Sequence, residues 1–207
     1  MKQPRFASAL VLCLLGLLLN NYWILAPFLG IPSNHLVSVL GMNGEPHAML
    51  FRELSVLAGL SLIASVAVAR RRAKHRQLLT WLLVAIGACI IIDGLFAINC
   101  DACTLNRLNF EGWVHGIESV VYVVLILVGT ILTIKWRLNR KVALLQLAFM
   151  VIYLAMHAMV LLSLKSGGPE LQRVTLGIET ILLFLIWWDA VHATKHLQST
   201  NHRILSR

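Results

Sequence analysis

The chain divides into six apolar blocks of roughly 20 residues, the length at which a helix rising 1.5 Å per residue crosses the hydrocarbon core of a bilayer. Inside lipid, each segment has to satisfy its own backbone N–H and C=O groups, so such blocks fold as helices. They lie at about 6–30, 46–69, 78–98, 112–134, 142–164 and 173–193. Little remains between them except short connectors. The expected fold is all-α: one transmembrane domain over 1–207, an integral membrane bundle of six helices. At 58% hydrophobic over 207 residues, the chain exceeds the roughly 45–50% of a soluble domain.

A net charge of +9 is also a mark of nucleic-acid readers. The placement of the charges argues against that partner, because they sit in short clusters between apolar blocks and no segment is long enough to build a folded basic surface. Their distribution gives an orientation instead. Of the 18 Lys and Arg residues, 14 fall on one side: Lys2 and Arg5, Arg70 to Arg76, Lys135 to Lys141, and Lys195, Arg203 and Arg207. Arg52, Arg107, Lys165 and Arg173 fall on the other. Positive residues are retained on the cytoplasmic side, so both termini are expected in the cytoplasm and the protein in the cytoplasmic (inner) membrane. Lys2 and Arg5 precede an apolar run as in a signal peptide, but the run continues to about Gly30, beyond an h-region of roughly 7–15 residues. It reads as a retained first helix.

Within the blocks, the first helix carries Asn20 and Asn21, which read as interhelical hydrogen-bond partners. Asn43-Gly44 is a turn signal, and Pro46 suits the first turn of the second helix. Ser33 is placed to cap a short interfacial helix ending at Gly41. Ser166-Gly167-Gly168-Pro169 reads as a breaker. Trp81, Trp113, Trp136, Trp187 and Trp188 fit an interfacial belt.

The acids stand out against this map. Five helices carry ionisable groups in the half of the bundle away from the basic loops: Arg52 and Glu53, Asp93, His115 and Glu118, His157, and Glu179. Asp93, His157 and Glu179 are each expected roughly 8–10 Å inside their helix ends. A charge at such depth costs on the order of a few kcal/mol unless paired or hydrated, and faces the bundle interior. His115, Glu118, Ser119 and Tyr122 share one helical stripe. Four carboxylates beside one guanidinium need compensation: neutral acids, charged histidines, a divalent metal or a cationic ligand. A buried ion pair of Arg52 with Asp93 or Glu118, locking the bundle, accounts for part of the pattern without any chemistry.

The candidate site follows. Asp93, His115, Glu118 and His157 are the acid–base or catalytic candidates, and His115, Glu118 and His157 the metal candidates. His35, His47, Arg52, Glu53, Ser119 and Glu179 are the ligand-binding candidates. Cys100 and Cys103, spaced CxxC in an outer connector, are assigned a disulfide, with a redox pair, free thiols and metal ligation as the alternatives. Cys13 and Cys89 read as small apolar fillers. Histidines are not paired on facing helices as haem requires, and no Walker, HExxH or GxSxG motif occurs.

Asn34-His35-Leu36-Val37-Ser38-Val39-Leu40-Gly41, followed by Pro46-His47-Ala48-Met49-Leu50-Phe51-Arg52 and Ala58-Gly59-Leu60, resembles the first-loop-to-second-helix signature of domain-of-unknown-function family 998. Asp93-Gly94-Leu95-Phe96 with Cys100-Asp101, His115 with Ser119, and Gly177 through Trp187 with Ala190 resemble its later blocks. The chain departs from the pattern at Ile98-Asn99, where a Pro-containing turn is the family habit, and at Glu179-Thr180, where a Gln-Arg-like pair is. The resemblance implies six-helix bacterial or archaeal membrane proteins and supplies no reaction. Three functions are therefore weighed: an outward-facing polar cavity binding a small molecule, lipid or cation; an intramembrane metal- or acid/base-dependent enzyme acting on a lipid-linked substrate; and a non-catalytic accessory protein. Membrane lipids are the expected surroundings in all three.

Overall fold

The computed structural model describes residues 3–31, 37, 40–69, 77–96, 110–136, 140–162 and 168–192. The architecture is all-α, and no strand occurs among these residues. Six α-helices follow in order: α1 (Gln3–Asn20), α2 (Ala48–Ala69), α3 (Gln77–Leu95), α4 (Phe110–Trp136), α5 (Arg140–Leu162) and α6 (Gly168–His192). The last five are long and apolar enough to cross a membrane; α1 qualifies together with the 3-10 helix Tyr22–Leu29 that follows it, at a bend of 48°.

That bend corrects the expectation of one continuous helix over 6–30. Asn21 breaks the ladder: its side-chain amide donates to the Leu17 carbonyl at 2.8 Å and to Thr180 Oγ1 at 2.7 Å. Pro27 then supplies no N–H to an α-helical turn, and Gly30, at φ 73°, closes the segment in a left-handed conformation. The amides expected to join helices do so here, and Asn21 also divides its own.

Other boundaries move for local reasons. Asn43-Gly44 forms the expected turn, with the Glu45 N–H donating to the Met42 carbonyl at 3.1 Å. His47 at φ 62° lies outside helical space, so α2 begins at Ala48 rather than Pro46. Gly168-Pro169, read as a breaker, instead opens α6: proline's missing N–H is no loss in a first turn, and Glu170 there favours the helix N-terminus. The capping position of Ser33 lies outside the described residues.

Packing is unequal around the bundle. Helix α2 packs closely on both α1 and α3; Gly59 and Gly87 let the backbones of α2 and α3 touch, and a Cβ on Gly59 would stand 2.4 Å from the Gly87 carbonyl oxygen. Small residues of this kind drive helix association in membranes. Helix α6 packs against α1, α3, α4 and α5 and supplies the buried Leu182, Leu183, Ile186 and Trp187 to the core. Trp187 thus leaves the interfacial belt assigned to it; it is fully buried, packed against Phe6 and Phe184. Helix α5 is peripheral. Its buried Gln146 and Tyr153 reach α4 and α6 through polar contacts, to Thr133 Oγ1 and to Glu179.

Candidate functional site

At the end of the bundle away from Ala69, Gln77, Trp136 and Arg140, five helices deliver polar side chains around one space of about 270 Å³. Asp93 comes from the last turn of α3 and His115, Glu118, Ser119 and Tyr122 from the predicted stripe of α4. His157 comes from α5, Glu179 from α6 and Asn20 from the end of α1. Ile90, Val123 and Leu176 complete the wall with apolar surface. Among the described residues lining the space there is no Lys or Arg.

The groups separate into two layers rather than one depth. In the shallow layer, His115 Nδ1 lies 3.0 Å from Asp93 Oδ1, with 12% and 31% of the two side chains exposed. The contact is not aligned as a hydrogen bond, and the buried Nδ1 finds no hydrogen-bonding partner among the described residues. Asp93 Oδ2 accepts from Ser55 Oγ of α2 at 3.4 Å. Glu118, one helical turn below His115, is only 8% exposed. One ligand atom from each of Asp93, His115 and Glu118 lies within 4.8 Å of the others.

The deep layer centres on Glu179, roughly 16 Å along α6 from its Gly168 end at 1.5 Å per residue. The greater depth follows from the earlier start of α6. Glu179 is 2% exposed. Its Oε1 accepts from Tyr122 Oη at 2.5 Å and from Asn20 Nδ2 at 3.4 Å, and its Oε2 accepts from Tyr153 Oη at 3.4 Å. Three donors from three helices thus offset the cost of burying one carboxyl group. At the rim, Gln172 Oε1 accepts from the Val37 N–H at 2.7 Å.

Asp93, His115, Glu118, Ser119, His157 and Glu179 therefore all face one space. His157 stands apart from Asp93, His115 and Glu118; its Nδ1 is 3.3 Å from the Tyr153 carbonyl and its ring lies against the Tyr153 ring at 4.4 Å between centroids. By distance alone Asp93, rather than His157, is the residue grouped with His115 and Glu118. The other candidates fall elsewhere. Arg52 donates to Asn43 Oδ1 at 3.2 Å and to the Leu95 carbonyl at 3.4 Å, away from this space. Glu53 and His47 are exposed. His35, Cys100 and Cys103 lie outside the described residues; Cys13 and Cys89 are free and buried, as fillers should be. The sequence puts Tyr122 on the stripe and reads Asn20 as an interhelical hydrogen-bond partner, but marks neither of them, nor Tyr153, as a partner of Glu179. The signal for the tyrosines is present in their spacing: Tyr122 follows Glu118 by one turn and Tyr153 precedes His157 by one turn.

Long apolar helices enclosing a set of buried acids and histidines define a multi-pass membrane protein. The family profile described as Protein of unknown function (DUF998) matches residues 7–189, and the chain belongs to that family. No curated protein and no solved structure matches it.

Proposed function

We propose that this is a multi-pass protein of the cytoplasmic membrane, with both termini in the cytoplasm, whose polar space opens toward the outer face and binds a small ligand bearing a positive charge, free or on a lipid headgroup. The observation that carries the reading is the charge inventory of the space: Asp93, Glu118 and Glu179 line it without a Lys or Arg among its described residues. A cationic ligand supplies the missing countercharge. The outward direction rests on the surplus of Lys and Arg in the sequence that joins α2 to α3 and α4 to α5, whose adjoining helix ends lie away from the space.

Sided thiol labelling tests it. In a background with Cys13, Cys89, Cys100 and Cys103 replaced by serine or alanine, Ser119→Cys should react in intact cells with a membrane-impermeant maleimide. Lys135→Cys, at the other end of α4, should react only after permeabilisation. The reverse pattern refutes the orientation, and no labelling of Ser119→Cys in either condition refutes aqueous access.

A second reading, an intramembrane metal- or acid/base-dependent enzyme acting on a lipid-linked substrate, is favoured by one observation: Ser119 and His157 border the same space as Asp93, His115 and Glu118, giving a hydroxyl and a base beside a metal-ligating set. Release of a head group from a total lipid extract, lost in Ser119→Ala or His157→Ala, would establish it; an unchanged extract would sink it.

A further inference from the structure

We infer that Asp93, His115 and Glu118 bind one divalent first-row transition ion of the zinc or manganese kind, at the shallow end of the space. The inference deepens the ligand-binding reading above by naming the charge that the space takes up.

Three features of the shallow layer point there. The first is placement. His115 and Glu118 stand at i and i+3 on α4 and so share a face of the helix, while Asp93 meets them from α3, and all three ligand atoms fall within 4.8 Å. Around a tetrahedral ion with bonds of about 2.0–2.1 Å, ligand atoms stand roughly 3.3 Å apart. The 3.0 Å between His115 Nδ1 and Asp93 Oδ1 is already near that spacing, and a side-chain rotation closes the rest.

The second is the orphaned nitrogen. A proton shared between His115 and Asp93 would require an aligned N–H···O bond, and the pair lacks one although the atoms are in contact. A buried nitrogen without a hydrogen-bonding partner is costly. A cation held by its lone pair and by the neighbouring carboxylate removes that cost.

The third is the support around the ligands. Ser55 donates to Oδ2 of Asp93, which fixes the carboxylate and leaves Oδ1 toward His115, as outer-shell partners of metal ligands do. One imidazole with two carboxylates suits zinc and manganese better than thiolate-seeking ions. Three protein ligands leave at least one coordination position, and the space beside them is where a water or a ligand oxygen completes the shell.

The experiment is metal analysis of the full-length chain, purified in detergent without chelator or a histidine tag. The protein is equilibrated with buffered Zn²⁺ or Mn²⁺, desalted, and measured by elemental mass spectrometry. Wild type and Glu179→Gln, which alters only the deep layer, should carry about one ion per chain for at least one of the two metals. His115→Ala and Glu118→Gln should lose at least tenfold in occupancy, and His115→Cys, which keeps a donor, should recover part of it. No stoichiometric ion in monodisperse wild type, or equal occupancy in wild type and the nearly isosteric Glu118→Gln, overturns the site. If His115→Ala aggregates, the comparison of Glu118→Gln with wild type decides by itself. Thiol labelling at Ser119→Cys is independent: access without metal refutes the metal site only, and metal without access refutes the outward cavity only.

Discussion

Replacing Gly59 by alanine adds one methyl group at the closest backbone approach between α2 and α3. The new Cβ would stand 2.4 Å from the Gly87 carbonyl oxygen, 2.7 Å from Ile91 Cγ1 and 3.1 Å from the Ile91 nitrogen. Ordinary contact begins near 3.4 Å, so the α2–α3 separation has to widen by about 1 Å, against backbone that does not yield by rotamer change. Overpacking of this kind costs about 1–3 kcal/mol. Taking about 2 kcal/mol, the folded-to-unfolded ratio falls roughly 30-fold. Gly116 is the matched control, since a Cβ there meets nothing within 4 Å; alanine should leave stability unchanged or raise it by up to about 1 kcal/mol through helix propensity. The assay is reversible unfolding of purified protein in mixed micelles with increasing sodium dodecyl sulfate, followed by far-ultraviolet circular dichroism. A Gly59→Ala protein as stable as wild type refutes the close crossing of α2 and α3, and with it the placement of Ser55 against Asp93.

Two further expectations concern the deep layer, beside those for cavity access and metal content. Glu179→Gln keeps shape and an acceptor and should unfold within about 1 kcal/mol of wild type, whereas Glu179→Leu leaves the hydroxyl of Tyr122 and the amide of Asn20 without an acceptor, at about 1–3 kcal/mol each; equal midpoints for the two variants would remove the carboxyl group from its assigned place. Asn21→Leu loses the bonds to Leu17 and Thr180, for an expected loss of about 1–2 kcal/mol in the same unfolding assay; an unaltered midpoint would show that the break in α1 is held by Pro27 and Gly30 alone.

Much of this architecture is legible from residue order because lipid leaves the backbone few options, and the apolar blocks end close to where α4, α5 and α6 end. The acids and histidines of the site are legible for a related reason: Asp93, Glu118 and Glu179 have no place facing lipid. Hydropathy does not report which side a residue near a helix end faces. Arg52 and Glu53 therefore join the patch by depth alone, while the structure turns Arg52 to Asn43 and exposes Glu53. Tyr122 and Tyr153 escape notice as partners of Glu179 because tyrosine is common in membrane helices, and only its distance to a carboxylate distinguishes a ligand-like role. The split at Asn21 is hidden too, since the residues after it are as apolar as those before it.

The fracture of α1 has a thermodynamic corollary. Asn20, the last residue before the break, binds Glu179, and Trp23, just beyond it, donates its indole N–H to Asn21 at 3.2 Å. On the proposed ligand-binding reading, the angle of the 3-10 segment and occupancy at the carboxyl group would then be coupled through Asn20. A ligand that competed with Asn20 for Glu179 would change the work of straightening the segment, and by reciprocity a thicker bilayer that straightened it would change that ligand's affinity by the same factor. On that reading the kink would make the thickness of the surrounding lipid a parameter of the site.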